Sequence, residues 1–278
     1  MLLKLISRIL CVLPLIIVSN LDAALEDYIF PNYKPPSFSN YGTIGLIQMP
    51  NARFHKEGTL ALSWSHNDPY INGSIVAYPF SWLEASYFYT DINNALYSDN
   101  PDFSGSQSYK DKGFDVKVRL LEESYYLPQI AAGARDIAGT ATFSSEYITL
   151  SKRYNNFDVT LGMGWGTLSG NQIKNPFEYI NNSFESRNEV LSDTQGGEVS
   201  FDKLFSGPAG LFGGIEMSIP NANGARFKIE YDGTDYKKEG FPFGRSSFPF
   251  AFEPVKQPNS KINYGFVYPL NKHFQLKL

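Results

Sequence analysis

Asp115, Lys117 and Arg119 stand two residues apart, and Phe114, Val116, Val118 and Leu120 fill the places around them. A spacing of two puts like-placed side chains on one face of a strand. Arg226, Lys228, Glu230 and Asp232 repeat the pattern against Phe227, Ile229 and Tyr231. Glu84, Arg135, Glu216 and Lys277 hold comparable positions in other alternating runs. A wall carrying both signs suits many weak contacts with a hydroxyl-rich chain that must also be released, as in a pore. The same wall suits a plugged interior whose charges pair with one another, so both readings stand. Arg135-Asp136, next to Gly139 and the run 144–146, reads either as a site or as a structural ion pair and loop anchor.

Catalytic chemistry is not expected. His55, His66 and His273 are scattered and fit no HExxH-like ligand spacing. There is no G-x-S-x-G elbow and no Walker loop. The stretch GMGWG at 162–166 lies inside a strand pattern with no helix after it, so it is not a nucleotide fingerprint. No catalytic residue, metal or cofactor is assigned. A structural or scaffolding envelope protein acting through its long loops is the first rival reading, and a hydrolase or modifying enzyme using acidic loop residues such as Asp193 or Glu198 is the second.

The elements that would position these residues are strands. Period-two segments fall at about 58–66, 73–78, 82–91, 112–121, 128–137, 146–154, 157–166, 210–220, 225–232, 261–268 and 272–278. Segment 146–154 is ambiguous, because Ile148 and Leu150 share a face with Glu146 and Lys152. The connections alternate. Short ones at 79–81, 122–127, 155–156, 221–224 and 269–271 change places with longer ones, among them 92–111, 167–209 and 233–260. Asn72-Gly73 and Asn223-Gly224 read as turn formers. Alternating short and long connections are what an up-and-down outer-membrane β-barrel requires. In such a barrel an Arg or Lys facing lipid at mid-depth costs ~2–4 kcal/mol, so the charged face must line the lumen. Glycines 162, 164 and 166 then fall on the lumen side, where they relieve crowding or permit curvature. Tyr87 and Tyr89 read mainly as lipid and interface anchors, as do Tyr125 and Tyr126, with Trp82 and Trp165 in packing or interface roles. The expected class is therefore all-β, an antiparallel outer-membrane barrel. Eleven strands is an odd count, and the sequence stops inside an alternating segment. The expectation is an incomplete barrel in a truncated chain, with a miscount by one strand as the alternative.

Bulk properties agree. The chain has 278 residues, 15% aromatics and a net charge of −4, with no basic stripe for nucleic acid. Lys4 and Arg8 precede an apolar run, 9–18, too short for a helical span, and the segment 1–23 reads as a secretory signal peptide. Cys11, the single cysteine, sits too early in that run to be a convincing lipoprotein cysteine. Residues 24–57 form a lead-in on the periplasmic side, and 58–278 the barrel. Within the lead-in, 41–53 (YGTIGLIQMPNAR) is strand-like, and it is the one segment that could act as a plug.

Three stretches carry a resemblance: GTIGLIQMPNAR at 42–53, WLEASYFYTDI at 82–92, and RLLEESYYLPQIAAGARDIAGTATFSSEYITLSKRYNNFDVTLGMGWG at 119–166. They resemble the YjbH-like outer-membrane family of exopolysaccharide and capsule proteins, with the likeness running from about 41 to 236. The resemblance implies an outer-membrane protein that helps move or handle an extracellular polymer. Its partners would be outer-membrane lipid, the exopolysaccharide and periplasmic or outer-membrane polysaccharide export proteins, with no nucleic acid. Family members are typically much longer, which fits the odd strand count.

Overall fold

A computed structural model describes residues 35–97, 100–139, 142–187, 204–236 and 258–278. The expected signal peptide, Cys11, the start of the lead-in and the loop carboxylates Asp193 and Glu198 lie outside these residues. Eleven strands form one antiparallel sheet in chain order: β1 (Leu60–Asn67), β2 (Tyr70–Phe80), β3 (Leu83–Leu96), β4 (Ser108–Leu121), β5 (Gln129–Arg135), β6 (Ser145–Tyr154), β7 (Phe157–Gly164), β8 (Gly210–Ser218), β9 (Arg226–Tyr231), β10 (Ile262–Pro269) and β11 (Gln275–Lys277). Every strand pairs with its sequence neighbours, as an up-and-down meander requires. The sheet is open, with β1 and β11 as its two edges.

The predicted strands all appear, with some changes at their ends. β2 starts at Tyr70, so the β1–β2 connection is only Asp68-Pro69, and Asn72-Gly73 lies inside β2 instead of forming a turn. Eight consecutive cross-strand pairs from Leu60–Ala77 to Asn67–Tyr70 outweigh the local turn preference of Asn-Gly. β3 and β4 run on to 14 residues each. At Asn223-Gly224 the turn forms as expected, with φ of 52° and 85°, and Asn155 turns the β6–β7 corner at φ 52°. Connections 81–82, 122–128, 155–156, 219–225 and 270–274 close one end of the sheet. The strand ends that the longer ones join, those flanking 97–107, 136–144, 165–209 and 232–261, lie at the other, together with the tight 68–69 connection.

The alternation sets the two faces. Leu62, Trp64, Phe114, Leu161, Ile215, Ile229 and Tyr264 point outward and are exposed, whereas Glu84, Asp115, Lys117, Arg226, Lys228 and Glu230 are buried on the inner face. The ambiguous β6 resolves the same way. Tyr147, Thr149 and Ser151 are buried within, and Leu150 faces out. Glu146 and Lys152 sit near opposite ends of β6. There Glu146 binds Arg187, and Lys152 donates to the Ser124 carbonyl.

Residues 37–53, the greater part of the expected lead-in, pack against the inner face of the sheet. They lie inside the curl of the sheet. The reason is visible in the partners of the inner face: β1 through β9 each hydrogen-bond to this segment. At β10, a Cβ added to Gly265 would fall 3.0 Å from Ile47. A sheet can reach one short segment from ten strands only by wrapping round it. Small residues leave it room: a Cβ at Gly214 would meet Leu46 at 2.8 Å and the Ile229 carbonyl at 2.4 Å. The inward glycines Gly162 and Gly164 play the part expected of them, making space for the Phe212 ring and for Leu168. Replacing Gly214 by Val should therefore cost about 1–3 kcal/mol through overpacking. Ile215→Val, on the outer face, should cost no more than about 1.5 kcal/mol. Comparing their denaturation midpoints checks this.

Candidate functional site

The inner segment folds on itself through bridges Phe38–Ile44 and Gly45–Pro50. This short, glycine-containing run leaves many backbone groups unpaired within itself, and the charged inner wall satisfies them. The Glu230 carboxylate accepts from three successive backbone N–H groups, those of Ile47 (2.7 Å), Gln48 (2.9 Å) and Met49 (2.9 Å). Two residues along the same strand, the Lys228 ammonium donates to the carbonyls of Gly45 (2.8 Å) and Leu46 (2.7 Å). The acid takes the donors of the turn, and the base takes its acceptors. Neighbouring positions on one face of β9 thus read opposite sides of one peptide loop.

The remaining wall charges follow the same logic. Glu84 accepts from Tyr78 Oη at 2.6 Å and pairs with its cross-strand partner Lys117 at 3.0 Å, while Lys117 also reaches the Ile44 carbonyl. Arg135 donates to the Gln48 carbonyl at 2.9 Å and lies 4.1 Å over the Tyr41 ring. Asp115 accepts from the Asp136 backbone N–H, and Asp136 in turn accepts from Phe143 N. The pair Arg135-Asp136 is therefore a loop and segment anchor. Glu216 binds Ser37 Oγ, Arg226 (3.1 Å) and Lys228 (3.3 Å). Arg119 stays nearer the short-turn end, bonded to Glu122 and lying over Phe54. Lys277 belongs to edge strand β11 and opens on a different feature, described below.

One anchor was not singled out from the sequence. Arg53 makes a two-pronged contact with Asp158 (2.7 and 2.8 Å), and its other amino group reaches Glu123 (2.5 Å) and Gln129 (3.0 Å). Arg53 is 1% exposed, so its charge has no recourse to water and depends on those carboxylates. Glu123 lies in the 122–128 turn and Asp158 just after the 155–156 turn, so Arg53 is fixed at the short-turn end. Ser37, through Glu216 near the end of β8, is fixed toward the same end. The segment thus enters and leaves the interior on one side. His55 follows it with its imidazole held below the usual range, at about 4, by burial first and then by Arg226 and Lys117. It is neutral at pH 7.

Apolar contacts complete the seal. Ile44 packs with Ala52, Val76 and Tyr78, and Leu46 and Met49 pack with Tyr147, Leu168 and Phe212. Toward the long-loop end, Phe143 meets Tyr41, Tyr70 and Phe88 edge-on. There Trp165 is fully buried, stacked on Phe177 at 5.4 Å, a packing role as expected. Tyr87 and Tyr89 face outward while Phe88 packs inside, and Tyr125 and Tyr126 are exposed in the short turn.

The inner segment does not fill everything. A cleft of about 1750 Å³ runs between edge strands β1 and β11, from Lys56 and Lys272 at the short-turn end to Asp68 and Tyr236 at the other. Lys277, Arg226 and Gln48 line it.

Breaking the clamp should be costly. Arg53→Met leaves Glu123 and Asp158 without their shared cation and should destabilise by about 3–5 kcal/mol. Glu230→Gln, which keeps the shape and removes the charge, should cost less, about 1.5–3 kcal/mol. Limited proteolysis should then cut within 41–53 in both variants and spare the parent protein.

Comparison with known proteins places this arrangement. A family model described as "Exopolysaccharide biosynthesis protein YbjH" matches residues 37–278. A protein of Escherichia coli (strain K12) named "Uncharacterized lipoprotein YjbH" is 43% identical over 235 residues, 84% of this chain and 31% of its own length. The chain therefore spans about a third of that relative. The relative's name stands against the expectation that Cys11 bears no lipid. No solved structure matches.

Proposed function

Given that the chain belongs to the YjbH exopolysaccharide biosynthesis family, we propose that it forms wall strands of an outer-membrane β-barrel acting in exopolysaccharide production, with residues 37–53 as its resident plug. The observation that carries this reading is the inversion of the two faces. Large apolar side chains such as Leu62, Trp64 and Leu161 are more than half exposed, while Lys117, Lys228, Glu84 and Glu230 are at most 1% exposed. Water-facing surfaces rarely carry contiguous apolar patches of this kind, and a bilayer needs them. The 14-residue strands β3 and β4 exceed the ~9–11 residues needed to span a bilayer.

The geometry favours a plugged barrel over an open conduit. The inner-wall charges proposed to line a pore are mostly engaged with the plug's backbone or with one another. Polymer transport through this interior would require the plug to move. Its polar contacts suit such movement, because water can replace hydrogen bonds that it could not replace in an apolar core. The chemistry assigned is non-catalytic. Polymer, outer-membrane lipid and periplasmic export proteins are the partners, and the lipoprotein name of the relative supports an envelope location.

Deleting the full-length gene tests the role. Loss of polymer outside the cell is expected, and unchanged amounts and chain length would overturn it. In planar bilayers the full-length protein should conduct little, and removal of residues 41–53 should raise conductance severalfold. Leu161→Arg should cost about 2–4 kcal/mol of folding stability in lipid vesicles. A neutral result would count against lipid contact at that face.

A further inference from the structure

We propose that the loop segments 136–144, 165–187 and 232–236 act as one latch on the tip of the inner segment. Its release is then controlled from the end of the sheet opposite to the one through which it enters and leaves. This rests on the plug reading above and adds its regulation.

The tip is the first ground. Ser37 and Arg53 hold the two limbs of the segment toward the short-turn end, through Glu216, Glu123 and Asp158. Between them the chain reaches toward the other end, where loop atoms close on it. The Phe143 ring stands edge-on to the Tyr41 ring at 6.1 Å. Leu168 packs with Leu46 and Met49. The Gly233 N–H donates to Met49 Sδ at 3.4 Å. Each of the three loops thus places a group on the tip.

The bonds among the loops are the second ground. The Thr167 N–H donates to the Ser144 carbonyl at 3.1 Å, and its hydroxyl donates to the Phe143 carbonyl at 3.4 Å. The Gly170 N–H donates to the Gly233 carbonyl at 2.8 Å, and the Asp235 N–H to the Thr167 carbonyl at 2.7 Å. Gly166, at φ 66°, passes so close to loop 136–144 that an added Cβ would stand 2.3 Å from the Ser144 carbonyl oxygen. Loop 165–187 is thereby bonded to both of its neighbours. It cannot move off the tip without breaking its bonds to them.

The strap is the third ground. Arg187 returns loop 165–187 to the wall with a two-pronged contact to Glu146 (2.6 and 3.0 Å) and a third bond to Ser144 Oγ (3.0 Å). Glu146 also accepts from the Phe205 N–H, and the Phe205 ring meets Trp165 and Phe177. The Glu146 side chain is 3% exposed and that of Arg187 21%, so the pair is closed on the wall side and reached by water on the loop side. Neither Glu146 nor Ser144 belongs to the inner segment. Yet their bonds to Arg187 fix the loop that carries Leu168 and binds the other two. Loss of the strap passes along this continuous chain of contacts, and the tip is left with its wall contacts alone.

The test compares Arg187→Met with Lys174→Met in the full-length protein. Lys174 lies on the same loop, 64% exposed and paired with Glu178, outside the strap. Arg187→Met should speed proteolytic cleavage within 41–53 about tenfold and raise conductance in planar bilayers severalfold. Lys174→Met should change neither. Arg187→Lys keeps the charge and loses one prong, so it should give a smaller change in the same direction, and it carries the test if the methionine variant does not fold. A folded Arg187→Met protein with the parent's cleavage rate and conductance overturns the latch. So does an equal effect of Lys174→Met. If removing 41–53 raises conductance and Arg187→Met does not, the plug stands and the latch falls. If Arg187→Met speeds cleavage and removing 41–53 leaves conductance unchanged, the latch stands and the conducting interior falls.

Discussion

Glu230 and Lys228 set the terms for the interior. A sheet with charges on its inner face cannot collapse on itself, because buried charge needs partners of matched geometry. Here the partners are mostly peptide groups of a segment folded too tightly to satisfy itself. Each side supplies what the other lacks: carboxylate for amide, ammonium for carbonyl. The curl of the sheet and the glycines at 214 and 265 follow from that exchange.

Because the interior is polar, the usual order of a folded protein is reversed. Apolar bulk goes outward, and the inner apolar clusters are small groups around Ile44, Leu46 and Phe88. These clusters fill the spaces between ion pairs. Cohesion therefore comes from many oriented contacts, each losing much of its worth if misplaced by an ångström. The Arg53 clamp, with its two-pronged grip on Asp158, shows how strictly geometry is specified.

The sheet was legible in the sequence because side-chain alternation is a local signal. Phe114 to Leu120 declares its two faces without knowledge of any other strand, and the charged set facing inward was read the same way. Two things were not legible. Asn72-Gly73 has the chemistry of a turn, yet eight cross-strand pairs override it. The seat of residues 37–53 was hidden for a different reason. Its recognition runs through main-chain N–H and C=O groups, which every sequence possesses, so no side-chain pattern announces it. Arg53 was the available clue, a charge at the end of an otherwise uncharged stretch.

The position of the inner segment ahead of the strands that surround it bears on how the molecule is built. Ile47, Gln48 and Met49 meet their carboxylate only across some 180 residues of intervening sequence. Until β9 is in place, the wall charges of β3 to β7 have an incomplete guest and the guest has an incomplete host. Such long-range dependence slows assembly, since loop closure precedes any reward. The segment and its wall therefore complete each other only once β9 has joined the sheet.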